Sequence, residues 1–206
     1  MEIENHKEQV PFAHYCELWK QLDPAEAAKR CRVPYDETAG ELALTMLGVT
    51  YWLRWPDFAI RADREDGFAL RNIPAQILLM RYLTEAHPAP FGGKFLTFRE
   101  TPWGEVYLKP FTGRCLNRAA FTFGTRIGAF RAAMEKLGAR KLPHGDAAYE
   151  VEFLPGLLMQ MIVWEGDDEF PPNSQILFSD NFPACFAAED LVVSADVLIG
   201  DCKARF

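Results

Sequence analysis

The sequence has no segment long enough to cross a bilayer. Its longest apolar run, residues 157–164, is eight long and broken by Gln160, where a helical span needs about 20. Cysteine is scarce and scattered. The five cysteines, Cys16, Cys31, Cys115, Cys185 and Cys202, are odd in number and never closer than fifteen positions. Neither a disulfide framework nor a C-x2-C metal site is written in that spacing, and the thiols read as buried. Positive charge is in deficit: 22 Lys and Arg against 29 Asp and Glu leave a net charge of −7. That is the wrong sign for a surface neutralising many phosphates, so nucleic acid is not an expected partner. The opening residues Met1-Glu2-Ile3-Glu4-Asn5-His6 are polar and lack the apolar core of an export signal, so the expectation is a cytoplasmic chain with no membrane partner. His6, His14, His87 and His144 stand far apart, and no G-x-G-x-x-G, G-x4-G-K-[ST], H-E-x-x-H or G-x-S-x-G occurs. No cofactor is named by any motif.

What is present is ordinary globular material, 49% apolar and 25% charged, with sixteen Phe, which suits a large core. No repeat or Gly/Ser linker divides it. The expected fold is a single α+β domain, an antiparallel or mixed sheet covered by helices, with a helical N-terminal extension over 1–34 ahead of a main domain over 41–206. Phe12, Tyr15, Trp19 and Leu22 recur at helical spacing, and Asp23-Pro24-Ala25-Glu26 reads as a cap, a first-turn proline and a carboxylate three residues after the cap. Residues 42–47, 49–55 and 58–62 read as an antiparallel meander turned at Gly48 and Pro56-Asp57. Residues 73–86 form a helix. Residues 95–98 and 105–108 flank Thr101-Pro102-Trp103-Gly104 as a hairpin. Phe123, Ile127, Phe130, Met134 and Leu137 mark a helix ended by Gly138. Tyr149, Val151 and Phe153 alternate with Glu150 and Glu152, and the run 157–164 reads as a central strand covered on both faces, with Leu158, Ile162 and Trp164 buried. A short strand over 175–178 and a helix over 187–206 close the chain.

Two groups of residues carry candidate chemistry. Glu165, Asp167, Asp168 and Glu169 crowd where the central strand ends, and with Asp146 they would suit a hard cation and a general base; the competing reading is a solvated turn whose Asp side chains cap backbone N–H groups. Arg99, beside Glu100, and Arg114, after Gly113, stand where the chain bends. Two guanidinium groups there would clamp a carboxylate or phosphate, unless they merely form structural pairs with Glu100, Asp146 or Glu169. His144-Gly145-Asp146 has no Ser or Cys elbow beside it and reads as a turn.

Residues 77–83, Phe98-Arg99-Glu100-Thr101-Pro102-Trp103-Gly104, Phe111-Thr112-Gly113-Arg114, Phe123-Gly124, Gly145-Asp146, the W-x-G-D-x-E-F-P stretch over 164–171 and Ile176-Leu177-Phe178 together resemble a family of uncharacterised proteins from anaerobic bacteria and archaea. The resemblance covers residues 42–198 and leaves the two N-terminal helices outside. Some members of that family carry a cysteine-rich iron–sulfur segment, which implies a place beside redox or corrinoid chemistry. This chain departs from them, since Cys16 and Cys31 cannot hold a cluster that takes four thiolates.

The expected function is a binding or accessory module for an anionic small molecule or a partner protein, with Arg99, Glu100, Arg114, Trp164, Asp167, Asp168 and Glu169 as its ligand-binding residues. The alternative is a metal-assisted hydrolase or transferase using Asp146, Asp167, Asp168 and Glu169.

Overall fold

A computed structural model of the chain describes residues 6–206, so Met1 to Asn5, read above for an export signal, lie outside the described residues. The fold is α+β with antiparallel sheets, as the sequence implies. Its contacts gather in two compact units, Met1–Pro88 and Ala89–Phe206. Among the described residues no helix is long and apolar enough to cross a membrane.

The first unit begins with α1 (His6–Lys20) and α2 (Pro24–Cys31). Asp23 caps α2 as its sequence suggests, its carboxylate accepting from the amides of Ala25 and Glu26 at 3.0 and 3.1 Å. A four-stranded meander follows: β1 (Tyr35–Asp36), β2 (Glu41–Met46), β3 (Val49–Arg54) and β4 (Ala59–Ala62). The β2–β3 turn places both Leu47 (φ 50°) and Gly48 (φ 75°) in the left-handed region, as the two-residue turn that matches strand twist demands. Leu42, Leu44, Tyr51 and Leu53 are buried on one face of this sheet. Helix α3 (Ile73–Thr84), capped by Asn72, buries Leu78, Leu79, Tyr82 and Leu83. Trp19 of α1 is fully buried and donates from Nε1 to the Arg54 carbonyl at 3.2 Å.

The second unit holds a five-stranded antiparallel sheet in the order β5-β9-β8-β7-β6. The strands are β5 (Phe95–Thr97), β6 (Arg140–Leu142), β7 (Ala147–Leu154), β8 (Leu157–Trp164) and β9 (Asn173–Ser179). Strand β8 is central; one face is fully covered and the other only in part, with Ile162 buried there as expected. Leu157, Met159, Met161 and Val163 are fully buried, whereas on the other face Ile162 sits in a small cluster with Leu142, Ala148 and Leu177, Leu158 is half-buried and Trp164 is 38% exposed. The expectation that Leu158 and Trp164 are buried is therefore corrected. Helix α7 (Ala188–Ala204) buries Leu191, Ala195, Leu198 and Cys202, the stripe visible in the sequence.

The expected hairpin over 95–108 is not formed. Strand β5 leads into a 3-10 turn, Phe98–Glu100, and residues 105–108 belong to α4 (Gly104–Phe111). The sequence carried the correct signal: Gly104, Leu108, Phe111 and Cys115 recur at 4, 3 and 4 and point inward, and Phe111 stacks on Phe98 with ring centroids 4.1 Å apart. That packing outweighs the strand propensity of Val106 and Tyr107. Helix α4 runs through a π-helical turn, Thr112–Asn117, into α5 (Arg118–Phe123). The stripe from Phe123 to Leu137 is then broken, because α6 (Ile127–Lys136) starts afresh after Gly124; Gly138 ends it at φ 69° as expected.

Candidate functional site

The 3-10 turn after β5 is tightly built. The Glu100 carboxylate accepts from both the amide and the hydroxyl of Thr97, each at 2.7 Å. Those two bonds, the hydroxyl's the larger in effect, hold the Glu100 carboxyl below the usual carboxylate range. Glu100 is thus spent on the backbone rather than offered to a ligand. The Thr101 hydroxyl donates to the Phe98 carbonyl at 2.7 Å. A Cβ at position 104 would lie 1.8 Å from that same carbonyl oxygen, so only glycine fits where the loop enters α4.

This turn places Arg99 at the rim of a shallow pocket of about 270 Å³, beyond the point where Thr97 pairs with Leu177 and β5 leaves the edge of β9. Its walls are Phe98, Leu108, Phe111 and Leu116, and its polar groups come from Thr97, Arg99 and Gln175. Leu116 lies in the π-helical turn, where its carbonyl is taken by the Ser174 hydroxyl at 2.7 Å. Such turns recur at functional sites because they re-aim side chains out of the regular helical track. The Arg99 guanidinium uses Nε on the exposed Glu105 carboxylate at 2.8 Å. Its two terminal nitrogens donate no hydrogen bond to the protein among the described residues.

Arg114 is not in this pocket. With Arg118 it grips the Asp196 carboxylate of α7, at 2.9 Å in its own case. The expected clamp of Arg99 and Arg114 is therefore divided, and their partners are Glu105 and Asp196 rather than Glu100, Asp146 or Glu169. Between the two arginines' helical turns, Cys115 is fully buried; desolvation, reinforced by Asp196, pushes its thiol up to about 12, which leaves it without nucleophilic character.

The acidic stretch is a second assembly, and here distant residues do meet. Asp146 accepts from the Glu165 amide at 2.8 Å, while its own amide donates to the Val163 carbonyl. Asp167 accepts from the amides of Glu169 and Phe170 at 2.9 and 2.7 Å. Gly124 and Gly145 let this loop lie close. A Cβ on Gly124 would be 2.5 Å from Pro172 and 2.9 Å from the Trp164 carbonyl, and one on Gly145 would be 2.9 Å from Ile162. Asp168 and Glu169 are exposed. Among the described residues no three His, Cys, Asp or Glu side chains gather as a metal would require. The carboxylates of Asp146 and Asp167 serve the backbone, which is the work of capping turns.

The family model for a domain of unknown function, DUF3786, matches residues 23–201 and so runs through both units. The chain belongs to this family. The match begins at Asp23, the cap of α2, so the second N-terminal helix is part of the family region. No curated protein and no solved structure matches the chain significantly.

Proposed function

We propose that this member of the family is a binding or accessory module whose Arg99 pocket takes a small carboxylate with an apolar tail. The observation that carries this reading is that one pocket is lined both by Arg99, whose guanidinium pairs with the exposed Glu105, and by four apolar side chains. A planar fork of donors matches a carboxylate in two parallel bonds, and the apolar walls give the tail a reason to leave water. The Gln175 amide, which has no partner among the described residues, supplies a further donor. The volume lies just under the range of about 300–1,000 Å³ of drug-sized sites, so the ligand is a small metabolite.

The reading of residues 146–169 as a metal-assisted hydrolase centre has less support, because two of its four carboxylates already serve backbone amides. The place beside redox or corrinoid chemistry that the family resemblance implies belongs to this proposal as a matter of partnership: the cluster would reside on another protein. Cys31, Cys115, Cys185 and Cys202 are buried singly.

The test is calorimetric titration and thermal melting with phenylacetate, beside phenylacetamide as the neutral control. Phenylacetate is expected to bind and raise the melting temperature, since a ligand of the folded state stabilises it by mass action. Arg99→Lys keeps the charge but not the fork, and is expected to weaken binding about tenfold or more while the unliganded melt stays in place. Equal binding of acid and amide, or no binding by either, overturns the reading.

A further inference from the structure

Helix α4 leaves one face without a partner. Trp103, Val106, Tyr107 and Pro110 follow the i, i+3, i+4, i+7 pattern of a single helical stripe, and all four are exposed, Trp103 by 75% and Val106 by 68%. Trp103 is also held in the left-handed region, at φ 63°. A bulky residue is disfavoured there, and Gly or Asn would sit more cheaply. The chain thus carries both backbone strain and a wet indole at a position where its own fold gains nothing from the side chain. Trp and Tyr in a compact exposed group are the residues that most often anchor protein interfaces.

The charge around this face gives the partner's chemistry. Of the basic residues between positions 99 and 118, Arg99 pairs with Glu105, and Arg114 and Arg118 share Asp196, so the cation left for a partner is Lys109. Lys109 is exposed on α4 and has no ion pair among the described residues.

We propose that the Trp103, Val106 and Tyr107 face docks an acidic amphipathic segment of a partner protein, apolar side chains on the stripe and carboxylates towards Lys109. Opposite charge steers such a segment and fixes its orientation, while the aromatic stripe holds it. This goes beyond the Arg99 pocket and does not depend on what that pocket takes.

The experiment titrates the whole chain into a fluorescein-labelled helical peptide of Glu, Leu and Phe in an amphipathic pattern, with a counterpart in which every Glu is Lys, and reads anisotropy. The acidic peptide is expected to bind at least about tenfold more tightly than its basic counterpart. Trp103→Gly is expected to lose about tenfold or more of that affinity, with its own melting temperature held or raised by relief of the left-handed strain, and with phenylacetate binding unchanged. Val106→Ser, which touches no strained backbone, is expected to weaken the peptide too. Equal affinity for both peptides, no binding of the acidic one, full binding by Trp103→Gly, or a lowered melting temperature in that variant overturns the proposal. So does attachment to phosphatidylserine vesicles that needs Trp103 while the peptide is ignored.

Discussion

Two stretches of the second unit, residues 97–118 and residues 143–172, hold all the candidate residues, and they dispose of their charged groups in opposite ways. In the later stretch Asp146 and Asp167 turn back on their own chain and satisfy three amides. In the earlier stretch Glu100 does the same for Thr97, but Arg99, paired with the exposed Glu105, lines an apolar pocket. The difference is chemical. A carboxylate only accepts, so a turn rich in unpaired N–H groups absorbs it; a guanidinium has five donors and a helical turn offers it few acceptors. Acidic crowding in a sequence is therefore weaker evidence of a site than a single arginine beside apolar residues.

The comparison is strained most by adding one methyl group on each side. Gly104→Ala would force a Cβ into the Phe98 carbonyl, and is expected to lower stability by about 3 kcal/mol and to abolish phenylacetate binding with it, because the same turn places Arg99. Gly124→Ala, against Pro172 and the Trp164 carbonyl, is expected to cost about 2 kcal/mol and to spare the binding of whatever remains folded. Denaturant midpoints and titrations on both variants check this pair. If Gly124→Ala also removes binding from folded protein, the two stretches are one site and the contrast fails.

Much of the architecture was readable from residues alone. The Asp23 cap, the meander with its Gly48 turn, and the α7 stripe follow from local rules that tertiary packing did not override. The hairpin over 95–108 failed because Val106 and Tyr107 look like strand residues, while the inward series from Gly104 to Cys115 runs at helical spacing. Trp164 reads as buried from sequence but is exposed, because an apolar run does not tell which end leaves the sheet. The pocket itself could not be read at all. It joins Arg99, Leu116 and Gln175 through the π-helical turn and the edge of β9, and no pattern in the chain announces either.

Smaller effects sharpen the same contrast. Asp167→Ala removes the acceptor of two exposed amides and is expected to cost about 1 kcal/mol with phenylacetate binding intact, read from thermal melts beside titration. A loss of binding there would give the acidic loop a ligand role. The smallest effect concerns pH. Because the Glu100 carboxyl is held below its ordinary value, its contribution is present above the ordinary Glu range and is lost as pH falls through the lowered value. Glu100→Gln is therefore expected to melt slightly lower at neutral pH and to show a flatter decline under acid than the parent. Parallel declines would show that the Thr97 bonds do not hold in solution.

The most direct measurement is an amide and side-chain NMR titration of the whole chain with phenylacetate. Saturable shifts are expected at Thr97, Arg99, Leu116 and Gln175, with the Arg99 guanidinium signals moving most, and unmoved signals at Glu165, Asp167, Asp168 and Glu169. Shifts centred on the acidic loop, or none at the pocket, would contradict this expectation.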